Sequence, residues 1–414
     1  MATSTTYSLR ARYVFPIDRP PIRNGWITVA GGRITATGDT PISNCRDLGD
    51  VAILPGLINA HTHLEFSQLE RPLGQAGVSF PDWLREVIRR RDVTPPEERD
   101  AARNRAIRQG VEESIHCGTT TIGEIARLPW QGIEQRYESV QGVAFLELLG
   151  LATARHNELL AAATDYVEAR HGNTPSPRAG LSPHAPYTAS PKLVEAVAAL
   201  SARTRTPVAM HLAETREELE LLHAGSGLFR EFLNELGAWH PDVIPRESTP
   251  LDYLKLLAKA DRSLIIHGNY LTREEIEFAG RHNERMSVIY CPRTHAYFGH
   301  DRYPLQELLD AGVNVALGTD SRASNPDLNM LSELRFAAKQ HGDISLETIL
   351  RLATINAARA LGMGATHGSL TPGQQADFVV IPIAPIDRSD PHELLFESSQ
   401  GVEQVFRAGI EESA

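Results

Sequence analysis

Eight short apolar runs, each followed by a stretch with helical patterning, limit how this 414-residue chain can fold more than any other feature. They lie at residues 53–58, 119–125, 140–149, 178–181, 208–210, 264–266, 287–290 and 313–317. Among the stretches that follow them, 96–116, 191–203, 273–282 and 305–311 read as helices. Strands that alternate with helices pair in parallel, because a parallel crossover needs a long connection. Eight such units predict an α/β fold, a (β/α)8 TIM-type barrel. In that architecture the residues just past the carboxyl ends of the strands form the site.

Polar residues gather at those ends. His61-Thr62-His63 closes the first run, and side chains at i and i+2 of a strand share a face. Two imidazoles so placed can hold one metal ion. His184, His211, His267 and Asp320 end or follow later runs, and Glu124 and Glu147 sit within two more. A histidine pair alone is weak evidence. Independent structural roles would have to be invoked for every histidine, always at a strand end, so one shared site is the better reading.

The rest of the chain frames the barrel. Residues 7–50 and 369–410 read as short strands broken by Gly and Pro turns, and neither is large enough for its own core. Together they predict a small composite β-sandwich domain, 1–51 with 363–414, around a barrel at 52–362. Residues 213–262 form the longest excursion between strands, with helical patterning over 214–236 and 250–260. Phe80, Trp83 and Val87 share one face of a helix at 80–91, which forms either a second pocket wall or a packing face. The run Arg89-Arg90-Arg91 reads as its solvated last turn.

A net charge of -11 argues against a nucleic-acid surface, which needs a basic stripe. Three cysteines without paired spacing give no disulfide framework or cysteine metal site. No apolar run approaches the ~20 residues of a membrane helix, and residues 1–12 lack a signal-peptide core. The expected location is the cytoplasm, with no membrane partner.

Five motifs carry a resemblance: Pro55-Gly-Leu-Ile-Asn-Ala-His-Thr-His-Leu, Ser182-Pro-His-Ala-Pro-Tyr, Met210-His-Leu-Ala-Glu-Thr, His267-Gly-Asn-Tyr-Leu and Leu317-Gly-Thr-Asp-Ser. In kind and order they resemble the amidohydrolase superfamily, in its deaminase and chlorohydrolase branch. The resemblance implies that His61, His63, His211 and Asp320 bind one divalent metal, zinc first and iron as the alternative. It also implies that Glu214 shuttles protons to a substrate ring nitrogen, Asp320 accepts the proton of the attacking water, His267 holds that water, and His184 contacts substrate. The chemistry is sound on its own terms: three imidazoles and a carboxylate leave a cationic centre that brings water towards a pKa of about 7. Glu214 follows His211 by three residues, so a helical turn would bring both to one side. Many binuclear members of the superfamily use a carbamylated lysine at the end of strand four. Residues 1–191 contain no lysine, which excludes that centre. Glu147 either approaches the site or is a buried structural carboxylate.

The expected reaction is hydrolytic deamination of a small nitrogen heterocycle with release of ammonia. His63-Leu-Glu65-Phe66-Ser67 and the segment from Cys291 to His300 resemble aminodeoxyfutalosine deaminases more than guanine deaminases, with Arg293-Thr294 where common relatives have Ser-Asn. This points to a 5′-modified adenine nucleoside, aminodeoxyfutalosine among them. A guanine, pterin or triazine deaminase or a chlorohydrolase is the alternative, and a catalytically inactive scaffold is the remaining one. Glu65, Phe66, Trp83 and Tyr297 join His184 as expected substrate contacts. Arg293 and Arg322 either pair with a substrate carboxylate or make structural ion pairs. Relatives are often homo-oligomers, although no segment here marks an interface.

Overall fold

The computed structural model describes residues 6–92, 94–127, 140–170, 177–240, 242–388 and 390–412. Its centre is one sheet of eight parallel strands in sequence order: β1 (Leu57–Thr62), β2 (Thr119–Ala126), β3 (Gln141–Leu148), β4 (Arg178–Pro183), β5 (Val208–Leu212), β6 (Ser263–His267), β7 (Met286–Tyr290) and β8 (Asn314–Leu317). A parallel bridge from Thr62 to Asp320 joins the exit of β8 to β1, bringing the sheet round into the expected barrel. The strands are apolar on both faces because both are covered, as in parallel sheets generally. Alternate residues such as Val143 and Phe145, or Leu264 and Ile266, form one core cluster. Ala357, Leu361 and Met363 pack into it, while Arg178 and Arg262, at the strand starts, donate to the carbonyls of Leu361 and Arg359. That segment closes the amino end of the barrel and leaves the carboxyl end for the site.

The run at 53–58 is not one strand. Val51–Pro55 pairs antiparallel with Phe378–Pro382, outside the barrel, and β1 begins at Leu57. Gly56 permits the transfer: a Cβ there would lie 2.2 Å from the Thr120 hydroxyl oxygen. The chain ends meet in two further sheets. One holds four strands from residues 7–47, and the other combines Tyr13–Val14, Ile22–Arg23 and Val51–Pro55 with Phe378–Pro382, Gln404–Arg407 and Ile410–Glu411. Their shared core includes Ile27, Ile34, Ile53 and Phe378.

Helix boundaries follow local chemistry. Pro191–Thr204 starts with proline in its first turn and a Ser190 cap, whose hydroxyl accepts from the Leu193 amide. Arg273–Arg281 opens with a Thr272/Glu275 capping box. The patterning over 214–236 divides into Arg216–Ala224 and Leu228–Glu235, because Gly225 adopts a left-handed φ of 61° and ends the first helix. No helix among the described residues is long and apolar enough to cross a membrane.

Candidate active site

The exits of β1, β5, β6 and β8 converge. Nε2 of His63 lies 3.3 Å from Nε2 of His211, and Asp320 Oδ1 lies 3.5 Å from His61 Nε2 and 3.7 Å from His63 Nε2. Ligand atoms of His61, His63 and His211 lie within 4.8 Å of one another, a spacing that could hold one metal ion. The surroundings fit that use. Both ring nitrogens of His61 are buried without a hydrogen-bond partner among the described residues, a cost that coordination would remove. Nδ1 of His211 faces the His184 carbonyl at 3.0 Å, so with its proton there Nε2 is free to coordinate. Burial and the neighbouring imidazoles push the pKa of His61 and His63 well down, and burial pulls His211 down to about 4. Neutral imidazole is the form a metal needs.

The backbone is bent to reach this geometry. Ala213, His267 and Asp320 all have positive φ, 52°, 69° and 56°. Non-glycine residues rarely sit there, and such strain gathers at functional sites. Local bonds hold it: the Tyr303 hydroxyl donates to the His267 carbonyl at 2.9 Å, and the Ser324 hydroxyl donates to Asp320 Oδ2 at 3.0 Å. Asn59 donates to the Thr319 hydroxyl and accepts from the Thr319 amide, tying β1 to the turn that carries Asp320.

Glu214 is buried, with Oε1 3.3 Å from Nε2 of His267. Burial, reinforced by Asp320 and Glu218, raises its pKa well above the usual carboxylate range. Glu218 accepts hydrogen bonds from the Ala213 and Glu214 amides at 2.9 and 2.8 Å, fixing the turn between His211 and Glu214. Glu124 accepts from the Leu64 amide just after His63. Sequence reasoning did not assign these two carboxylates. The spacing of Thr215 and Glu218 resembles a capping box and could have pointed to the first of them.

A cavity of about 250 Å³ opens over this cluster. His63, His184, His211, Glu214, His267 and Asp320 line it on the polar side, and Phe66, Phe80, Trp83 and Phe232 on the apolar side. The helix Phe80–Asp92 is therefore a pocket wall, and so is the second helix of the long excursion. Arg85 and Glu235 join the two at 2.8 Å. Glu147 reaches the cavity, with carboxylate oxygens 3.5 Å from Arg127 and 3.8 Å from His184 Nε2.

Several expected substrate contacts lie elsewhere. Arg293 is held by Glu333 and Asp327, each at 2.7 Å, and Arg322 by Glu113 at 2.7 Å. Glu333 is buried and Glu113 half-buried, and each carboxylate occupies its arginine in an ion pair. Tyr297 donates its hydroxyl to the Leu73 carbonyl, and Phe298 packs behind Phe80 and Trp83. Glu65 faces away from the reaction cavity, paired with Arg91 at 2.5 Å. Arg91, expected in a solvated turn, instead lines the cavity and lies over the Phe66 ring.

The parallel barrel carries at its carboxyl mouth a histidine cluster that could hold a metal ion. The chain belongs to the amidohydrolase family, whose model matches residues 52–410. It is 30% identical over 401 residues to a 5-methylthioadenosine/S-adenosylhomocysteine deaminase of Pyrococcus furiosus, covering 92% of this chain and 86% of that one. It is 29% identical over 357 residues to an aminodeoxyfutalosine deaminase of Deinococcus radiodurans, covering 82% and 81%. Among solved structures, an adenosine deaminase from Xanthomonas campestris with bound zinc superposes with a TM-score of 0.78. That pair is 25% identical, and the match covers 98% of this chain and 92% of the other.

Proposed function

We propose that the protein is a zinc-dependent aminohydrolase that deaminates an adenine nucleoside modified at its 5′ position, aminodeoxyfutalosine being one candidate. The observation that carries this reading is the facing pair of Glu214 and His267 beside His61, His63, His211 and Asp320. The names of the relatives support the adenine nucleoside over other heterocycles.

The three histidines and Asp320 would hold the ion. When bound, a divalent metal supplies a water acidified to near neutral pH. The chain's own residues do the rest. Asp320 takes a proton from the attacking water, and His267 orients that water. Glu214, whose burial favours the protonated form, gives its proton to a ring nitrogen next to the carbon under attack. The carbon becomes tetrahedral, the amino group takes the proton held by Asp320 and leaves as ammonia, and the added hydroxyl loses its proton to Glu214 as the carbonyl forms. Phe66 and Trp83 bound the apolar side of the cavity, where the ring would lie.

The test is ammonia release by metal-replete protein from adenosine, 5′-methylthioadenosine, S-adenosylhomocysteine, aminodeoxyfutalosine, guanine, a pterin and an aminotriazine. Turnover of an adenine nucleoside is the expected result. Rapid turnover of guanine, pterin or triazine, with adenine nucleosides untouched, would overturn it.

A further inference from the structure

Between the end of β5 and the helix Arg216–Ala224 the chain must turn Glu214 into the cavity, and it does so through Ala213 at a left-handed φ of 52°. A residue other than glycine stays there only where its surroundings hold it. Two sets of bonds hold this one. From within the following helix, Glu218 spreads its carboxylate over the turn. Its Oε1 accepts the Ala213 amide at 2.9 Å, and its Oε2 accepts the Glu214 amide at 2.8 Å. Glu218 is fully buried, and its own amide is capped by the Thr215 hydroxyl at 3.1 Å. From the other side, the exit of β6 takes the carbonyls in order. The amides of Gly268 and Tyr270 donate to the Leu212 and Ala213 carbonyls at 3.1 and 3.0 Å. The Asn269 side-chain amide donates to the Glu214 carbonyl at 2.9 Å. That exit also carries His267, so the residues that grip the turn set the spacing between Glu214 and the imidazole it faces. Neither Glu218 nor Asn269 belongs to the described lining of the reaction cavity.

We infer that Glu218 and Asn269 are positioning residues for the reaction: they act through Glu214, by fixing where its carboxyl group meets the substrate ring. The inference rests on the proton-shuttle reading of Glu214 above. Proton transfer is steep in geometry, and a misplacement of about 1 Å can cost on the order of 10²-fold in rate. Glu218 suits the role because the turn offers two N–H groups to two separate oxygens. A glutamine there has one acceptor oxygen, and its NH2 group would oppose one of the backbone amides. The backbone at Ala213 is then free to relax and to carry Glu214 out of line with His267.

The experiment is a double-mutant cycle on the intact metal-replete enzyme, with the nucleoside it deaminates fastest as substrate. Glu218→Gln should lower kcat by about 10- to 100-fold, leave KM within about twofold, and keep metal at wild-type stoichiometry. In a Glu214→Gln background the same substitution should lower kcat no further, because the group it positions is already gone. Asn269→Ala should behave alike, and its cycle decides the matter if melting curves show that Glu218→Gln does not fold. A loss as large with Glu214→Gln as without it is the mark of a general structural role and overturns the inference. An unchanged kcat in folded Glu218→Gln, or a loss of metal that accounts for the fall, overturns it too. In each of these cases wild-type turnover leaves the deaminase reading standing. Wild-type protein that deaminates no nucleoside overturns both.

Discussion

Glu214 and His267 face each other across the barrel mouth, Oε1 to Nε2 at 3.3 Å, although they come from different strand exits. Neither needs to bind the metal for the proposed reaction. Glu214→Gln should therefore retain metal at wild-type stoichiometry while turnover falls by about 10²- to 10⁴-fold, the usual worth of positioned proton transfer. Metal analysis alongside steady-state rates checks this. Near-normal turnover in the variant would remove Glu214 from its role.

His61→Ala should lose metal and activity together. Both nitrogens of His61 are buried and unpaired by protein, so its ring has no structural partner among the described residues to satisfy. Metal content of the purified variant is the readout. A variant that holds a full equivalent of metal would argue against His61 as a ligand.

Glu218 carries a pH dependence. Burial raises its pKa from the ordinary 4.5 to about 7, despite the backbone amides that favour its charged form. An acid whose folded pKa is raised stabilises the fold fully below the unfolded value, and that contribution is lost as pH rises through the folded one. Stability should thus decline between about pH 4.5 and 7, by on the order of 3 kcal/mol from this group. Glu218→Gln should flatten that part of the profile in urea titrations run across the range. A variant destabilised equally at every pH would contradict the assignment.

Arg293→Ala tests whether this arginine serves the fold. Glu333 is fully buried and would lose its charged partner. Breaking a buried pair in this way costs about 3–5 kcal/mol. A large drop in melting temperature is expected, with KM of the surviving folded fraction little changed. An unchanged melting temperature with a raised KM would return Arg293 to substrate binding.

Much of the architecture was legible because a parallel barrel writes itself as repeated apolar runs, and strand ends can be counted from them. His61, His63, His211, Glu214, His267 and Asp320 stood at such ends and converge as expected. The division of the first run at Gly56 was not legible, since it depends on Phe378–Pro382, more than three hundred residues away in sequence. The partners of the arginines were not legible for a related reason. Sequence gives the charge of Arg293 and Arg322, but their partners Glu333 and Glu113 are chosen by tertiary packing. Arg91 looked like the solvated end of a helix, and only the adjacent placement of Glu65 and Phe66 turns it inward.

The pairing of Val51–Pro55 with Phe378–Pro382 sets an order of events during synthesis. Domains tend to fold as units while the chain emerges from the ribosome. The amino-terminal strands emerge early, yet the sheet they belong to is incomplete until residues near the carboxyl end have been made. The barrel, whose strands pair with sequence neighbours, can assemble in the meantime. A ribosome stalled before residue 378 would thus present a nearly whole barrel with an unsealed leading edge, and release of the last segment would act as the clasp.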